Sequence, residues 1–66
     1  MKYDTFLASS FELSLNGSQI AALFSQMIKN ESMLEDEQLM ILNILRMVLY
    51  EHLSIEEVEK IIRGQD

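Results

Sequence analysis

The chain has 66 residues, which suffices for one domain and no more. Its 11 acidic and 5 basic side chains give a formal charge of −6, and a hydrophobic content of 48% excludes a disordered acidic tail. Cysteine is absent, which excludes disulfide scaffolds, thiolate metal sites and cysteine nucleophiles. We therefore predict one small domain, mostly helical, over residues 1–66.

Residues 3–15 carry two overlapping patterns. Phe11, Leu13 and Leu15 alternate with polar residues, which is the period of a half-buried strand. On a helical wheel, four apolar residues also lie on one side, namely Tyr3, Phe6, Leu7 and Phe11. Because the serines in this region lower helix propensity, we predict a short β-strand over residues 10–15, with a helix as the alternative.

Three amphipathic helices follow, over residues 18–30, 33–52 and 55–63. The first has apolar residues at the spacing i, i+3, i+4, i+7 and i+8, namely Ile20, Leu23, Phe24, Met27 and Ile28. Ser18 is the expected N-terminal cap of this helix, and Asn30 its expected end.

The second and third helices each begin with the spacing of a capping box. Ser32 precedes Glu35 by three residues, and Ser54 precedes Glu57 in the same way. Gly64 is expected to end the third helix. Two i,i+4 ion pairs are expected along it, Glu56–Lys60 and Glu59–Arg63.

The central helix is more apolar than one buried side requires. Between Leu39 and Leu53, 11 of 15 residues are apolar. The two neighbouring helices are short and single-faced, so we expect apolar surface to remain that a second copy would cover in a two-fold dimer. The alternative is a monomer whose other segments enclose this helix completely. The predicted interface residues are Met40, Leu42, Asn43, Arg46, Met47, Leu49, Tyr50 and Leu53.

Few side chains could carry catalytic chemistry. His52 is the single histidine, and its place near a helix end predicts a partly buried structural or interface role. Two acidic clusters lie at helix starts, where capping and the helix dipole account for them. These clusters, which we expect to form an acidic surface, are Glu35, Asp36, Glu37 and Glu56, Glu57, Glu59. We expect no enzyme activity, no cofactor and no metal.

The order of elements in residues 10–51, a strand, a helix and a longer helix, resembles that of ribbon-helix-helix repressors. The resemblance covers the order of elements and no motif residue. It implies a dimeric DNA-binding repressor whose outward strand residues, here Glu12, Ser14 and Asn16, would enter the major groove. A glutamate at that place and a net charge of −6 make direct nucleic-acid binding unfavourable.

The combined pattern predicts a small acidic protein-interaction module. We expect a homodimer that binds another, unidentified protein as an adaptor, inhibitor or antagonist. Alternatives are the dimeric repressor, an acidic mimic that occupies a nucleic-acid-binding cleft, and a structural subunit of a larger assembly. The start of the chain has no signal-peptide pattern and no apolar run is long enough for a bilayer, so we expect a cytoplasmic protein without membrane contact.

Overall fold

The computed structural model describes residues 2–64. Its elements, in chain order, are the helices α1 (Tyr3–Ala8), α2 (Gly17–Lys29), α3 (Asp36–His52) and α4 (Ile55–Arg63), with one 3₁₀ turn (Glu31–Met33) before α3. The mostly helical class is confirmed, and α2, α3 and α4 are the three helices that pack together. Within the described residues, no helix is both long and apolar enough to cross a membrane.

Helix α2 begins at Gly17, and its cap is Asn16 rather than the predicted Ser18. The Asn16 side chain accepts a hydrogen bond from the Gln19 N–H at 2.9 Å, and the Gln19 side chain accepts one from the Asn16 N–H at 2.9 Å. This reciprocal pair satisfies two donors at the helix start, so the helix begins before Ser18 can act as a cap. The predicted end is confirmed, because α2 stops at Lys29 with Asn30 as its C-terminal cap.

The cap assignment can be checked by mutation. Asn16→Ala should lower the free energy of unfolding by about 1 kcal/mol, since the Gln19 N–H loses its acceptor. Ser18→Ala should leave the stability within about 0.5 kcal/mol, because alanine is a good residue inside the first turn. Urea unfolding followed by circular dichroism, at one fixed protein concentration, measures both. A larger loss for Ser18→Ala than for Asn16→Ala would contradict the assignment.

Helix α3 starts at Asp36, three residues later than predicted, and the Ser32 capping box is wrong. Residues around Ser32 form the 3₁₀ turn, in which the Leu34 N–H donates to the Glu31 carbonyl at 3.2 Å. Leu34 is then extended, with φ −79° and ψ 141°, which separates the turn from the helix. Glu35 takes the cap position instead, and its N–H donates to the Gln38 side chain at 2.9 Å.

Helix α4 has the predicted bounds and the predicted caps. The Glu57 N–H donates to the Ser54 hydroxyl at 3.2 Å, and the Ser54 N–H donates to the Glu57 carboxylate at 2.9 Å. Gly64 follows with φ +71°, in the left-handed region that glycine adopts without the steric cost of a Cβ. The sequence therefore specified this helix through local signals alone.

The core lies between α2, α3 and α4. Phe24 from α2, Leu42 from α3 and Val58 from α4 are almost completely buried, and Leu45 and Leu49 of α3 complete the buried set. Helix α2 contacts both other helices, while α3 and α4 touch each other less. One side of α3 is thus covered by its own chain, and the opposite side is not.

The segment before α2 does not pack on this core. Every described side chain in residues 2–16 is exposed, and an aromatic pair joins Phe6 to Phe11 within the segment, with ring centroids 5.1 Å apart. Residues 3–8 are helical, as the alternative interpretation had it, and residues 9–16 have no regular structure. The strand over residues 10–15 stays a prediction, since a strand needs a neighbour and one chain supplies none.

Candidate interaction surface

The side of α3 that faces away from the core is apolar and exposed. Met40 is 59% exposed, Ile44 59% and Met47 63%, and their spacing of i, i+4 and i+7 aligns them along one side of the helix. Ile41 and Tyr50 are exposed at its two margins. We call these five residues the outer face of α3. An apolar stripe of this kind typically marks a contact with another molecule.

The predicted interface residues divide between the two sides of α3. Met40, Asn43, Met47 and Tyr50 are exposed and Arg46 is half-buried, so these five are accessible to a partner.

The other three predicted interface residues require a correction. Leu42 and Leu49 belong to the core, and Leu53 is half-buried against it, so the chain's own packing occupies all three. The prediction omitted Ile41 and Ile44, both exposed on the outer face. The helical wheel separates the two apolar sides of α3 but does not tell which of them α2 and α4 cover.

The six acidic residues do not form one surface. Glu35, Asp36 and Glu37 lie at the start of α3, while the second cluster lies at the start of α4, just past the other end of α3. Helix α3 has 17 residues, so its length of about 25 Å separates the two clusters. All six side chains are exposed. The acidic charge thus lies near both ends of α3.

The carboxylate of Glu57, at the start of α4, has a lowered pKa. Hydrogen bonds with the backbone and then the side chain of Ser54 lower the pKa of Glu57 below its usual value of 4.5, with a further contribution from Lys60. A lowered pKa in the folded state means that the ionised form stabilises the fold. This stabilisation is present above pH 4.5 and is lost as the pH falls through the lowered pKa. Helix capping accounts for this lowered pKa.

The expected ion pairs on α4 are realised in part. Arg63 lies 3.4 Å from the Glu59 carboxylate, whereas Glu56 and Lys60 do not come within 4.0 Å in the described part of the chain. Both side chains of the Glu59–Arg63 pair are more than half exposed, so solvent screening leaves the pair little effect on stability.

A shallow apolar groove of about 320 Å³ lies where the start of α2 meets the end of α3. Ile20, Val48, Leu53 and Ile61 line it, and His52 is the one polar side chain at its margin. His52 is exposed in the single chain, not partly buried as predicted. Over residues 2–64, no three His, Cys, Asp or Glu side chains gather closely enough to hold a metal ion. The groove is therefore a place for apolar contact.

The chain exposes more surface than its mass requires. Its accessible surface is 5714 Å², about 1,400 Å² more than the roughly 4,300 Å² of a compact monomer of 7.7 kDa. Its radius of gyration is 13.7 Å, compared with about 11 Å for a compact domain of 66 residues. The excess exceeds the roughly 800 Å² that each partner buries in a standard protein–protein interface.

Comparisons with family models, with curated proteins and with solved structures found no match to this chain.

Proposed function

We propose that this chain is a non-catalytic interaction module that works as a homodimer and binds another protein in order to modulate it. The observation that carries the proposal is the outer face of α3, an apolar stripe that the chain's own helices leave uncovered. Two copies related by a two-fold axis would cover this stripe with the same stripe of the partner, which is the commonest way in which a protein closes such a surface.

The size of the exposed surface supports a stable rather than a transient dimer. An excess of about 1,400 Å² per chain leaves room for an interface of standard size. The proposal includes the strand at residues 10–15, because two copies supply the second strand that one chain lacks. The acidic clusters at the two ends of α3 stay exposed beside such an interface and are the surfaces offered to a basic region of the protein that is regulated.

Light scattering of the wild-type chain tests the dimer, with an expected mass of about twice 7.7 kDa. Ile44→Asp should shift this mass to that of a monomer, since a carboxylate in the middle of an apolar interface costs several kcal/mol unless it is paired. Gln26→Asp is the matched control. It adds the same charge at an exposed position of α2 and should leave the mass unchanged.

Circular dichroism shows whether Ile44→Asp remains folded. A wild-type chain that is monomeric at all concentrations, or an Ile44→Asp variant that stays dimeric, would contradict the proposed interface. A salt-sensitive shift of duplex DNA by the wild-type dimer would favour the repressor over the modulator of another protein.

Capture of proteins from solution on the immobilised wild-type dimer tests whether the chain binds another protein. The control is a variant that keeps the dimer and changes the acidic charge. Glu56→Gln together with Glu59→Gln removes two charges from the start of α4 and leaves the Ser54–Glu57 caps in place. A partner held by the wild type and released by this variant supports the role of the acidic ends. Equal capture by both would remove the start of α4 from that role.

A further inference from the structure

We propose that residues 10–16 of two copies pair as antiparallel strands about a two-fold axis that passes through Leu13. Leu13 then lies opposite Leu13 of the second copy, and Phe11 lies opposite Leu15. This inference rests on the proposed homodimer and names the second segment that closes it.

The segment before α2 holds a large share of the exposed apolar surface. Six of the fourteen large hydrophobic residues that are exposed in the described part of the chain lie in residues 3–15. Among them Leu13, at 85%, is the most exposed of all. Because α2, α3 and α4 form their core without this segment, its apolar residues are accessible to a surface of another molecule.

The backbone of residues 10–15, at the end of this segment, has hydrogen-bonding groups that the chain itself does not use. Within residues 2–64, no backbone N–H of residues 10–15 donates a hydrogen bond inside the chain. Ser9 and Asn16, which lie on either side of residues 10–15, both have extended backbone conformation. None of the residues from Ser9 to Asn16 has a positive φ. Water satisfies these exposed groups in the single chain, and they are free to pair with an added strand. The chain has one alternating segment, so its pairing partner is the same segment of a second copy.

Charge and side-chain pairing select the register. A parallel pair, or an antiparallel pair centred on Glu12, would place Glu12 beside Glu12 of the second copy, and like charges directly opposite each other are unfavourable. An antiparallel pair centred on Leu13 places Glu12 opposite Ser14. It also gives each of the three alternating apolar residues an apolar partner across the ribbon, on one face of the sheet.

Single-cysteine variants test this register directly, because the native chain has no cysteine. Leu13→Cys brings two thiols to directly opposed positions, where neighbouring Cβ atoms lie within about 5.5 Å and a disulfide can form after a small adjustment. Ser14→Cys is the matched control. Its two thiols would lie on a diagonal, about 7–8 Å apart, which a disulfide does not span.

The measurement is the rate of covalent dimer formation under mild oxidation, read on a non-reducing gel at a concentration at which light scattering shows the dimer. Leu13→Cys should cross-link at least about tenfold faster than Ser14→Cys. A mixture of Glu12→Cys and Ser14→Cys chains should cross-link faster than either variant alone, since these two positions oppose each other. This second test does not alter the apolar face.

The outcomes separate the ribbon from the dimer. Equal rates for Leu13→Cys and Ser14→Cys in a protein that is dimeric by light scattering would overturn the register and leave the homodimer in place. A faster cross-link for Ser14→Cys would equally overturn it. A monomeric wild-type chain would remove both the proposed homodimer and the ribbon that rests on it.

Discussion

Leu49→Asp should unfold the chain. Leu49 is 6% exposed and packs in the core that α3 shares with α2 and α4. A carboxylate at this position would lose most of its hydration among the apolar side chains of the core, at a cost of several kcal/mol. A domain of this size without disulfides has a total stability of only about 3–5 kcal/mol. Far-ultraviolet circular dichroism at neutral pH should therefore show the loss of most of the helical signal.

Met47→Asp is the matched control for this change. It introduces the same carboxylate two residues earlier on the same helix, but Met47 is 63% exposed on the outer face. We expect this variant to keep its helical signal and, if the outer face is the dimer interface, to become a monomer. A folded Leu49→Asp variant would show that the core does not lie where the structure places it.

Phe24→Ala should lower the free energy of unfolding by about 3–5 kcal/mol. Phe24 is the largest fully buried side chain and the buried residue of α2, while Ile20, Met27 and Ile28 pack against the core partly buried. Its loss removes the transfer free energy of a phenyl ring and leaves a cavity that three short helices cannot fill without moving. A loss of this size is comparable to the total stability expected for a domain of 66 residues without disulfides.

Leu23→Ala gives the comparison on the neighbouring position of α2. Leu23 is 41% exposed, so its truncation should cost about 1 kcal/mol or less, in proportion to the smaller apolar area that it buries. Urea unfolding of both variants at one protein concentration measures the difference. Similar losses at the two positions would mean that the bundle is not organised around Phe24.

The success of the sequence predictions follows the range of the interactions involved. Helix α4 was predicted with both ends correct, because Ser54, Glu57 and Gly64 act within a few residues of one another. The starts of α2 and α3 were misplaced where two polar residues competed for one cap. Asn16 precedes Ser18 and forms its reciprocal pair with Gln19, and the 3₁₀ turn uses the backbone around Ser32.

For the candidate interface, the sequence likewise predicted the local pattern but not the packing. The run from Leu39 to Leu53 already indicated a helix with two apolar sides. The interface list nevertheless included Leu42 and Leu49, which are buried, and omitted Ile44, which is exposed. Periodicity shows which residues share one side of a helix, but it does not show which side the neighbouring helices cover.

By itself, the amino-acid sequence determined that this is a small acidic helical chain whose central helix has more than one apolar side. It also determined the bounds of the three longer helices to within three residues. These properties depend on residue spacing and on caps a few residues long. Only the tertiary structure decided which side of α3 is covered and that the segment before α2 lies off the core. That choice depends on how α2 and α4 meet α3, through contacts between residues far apart in the chain.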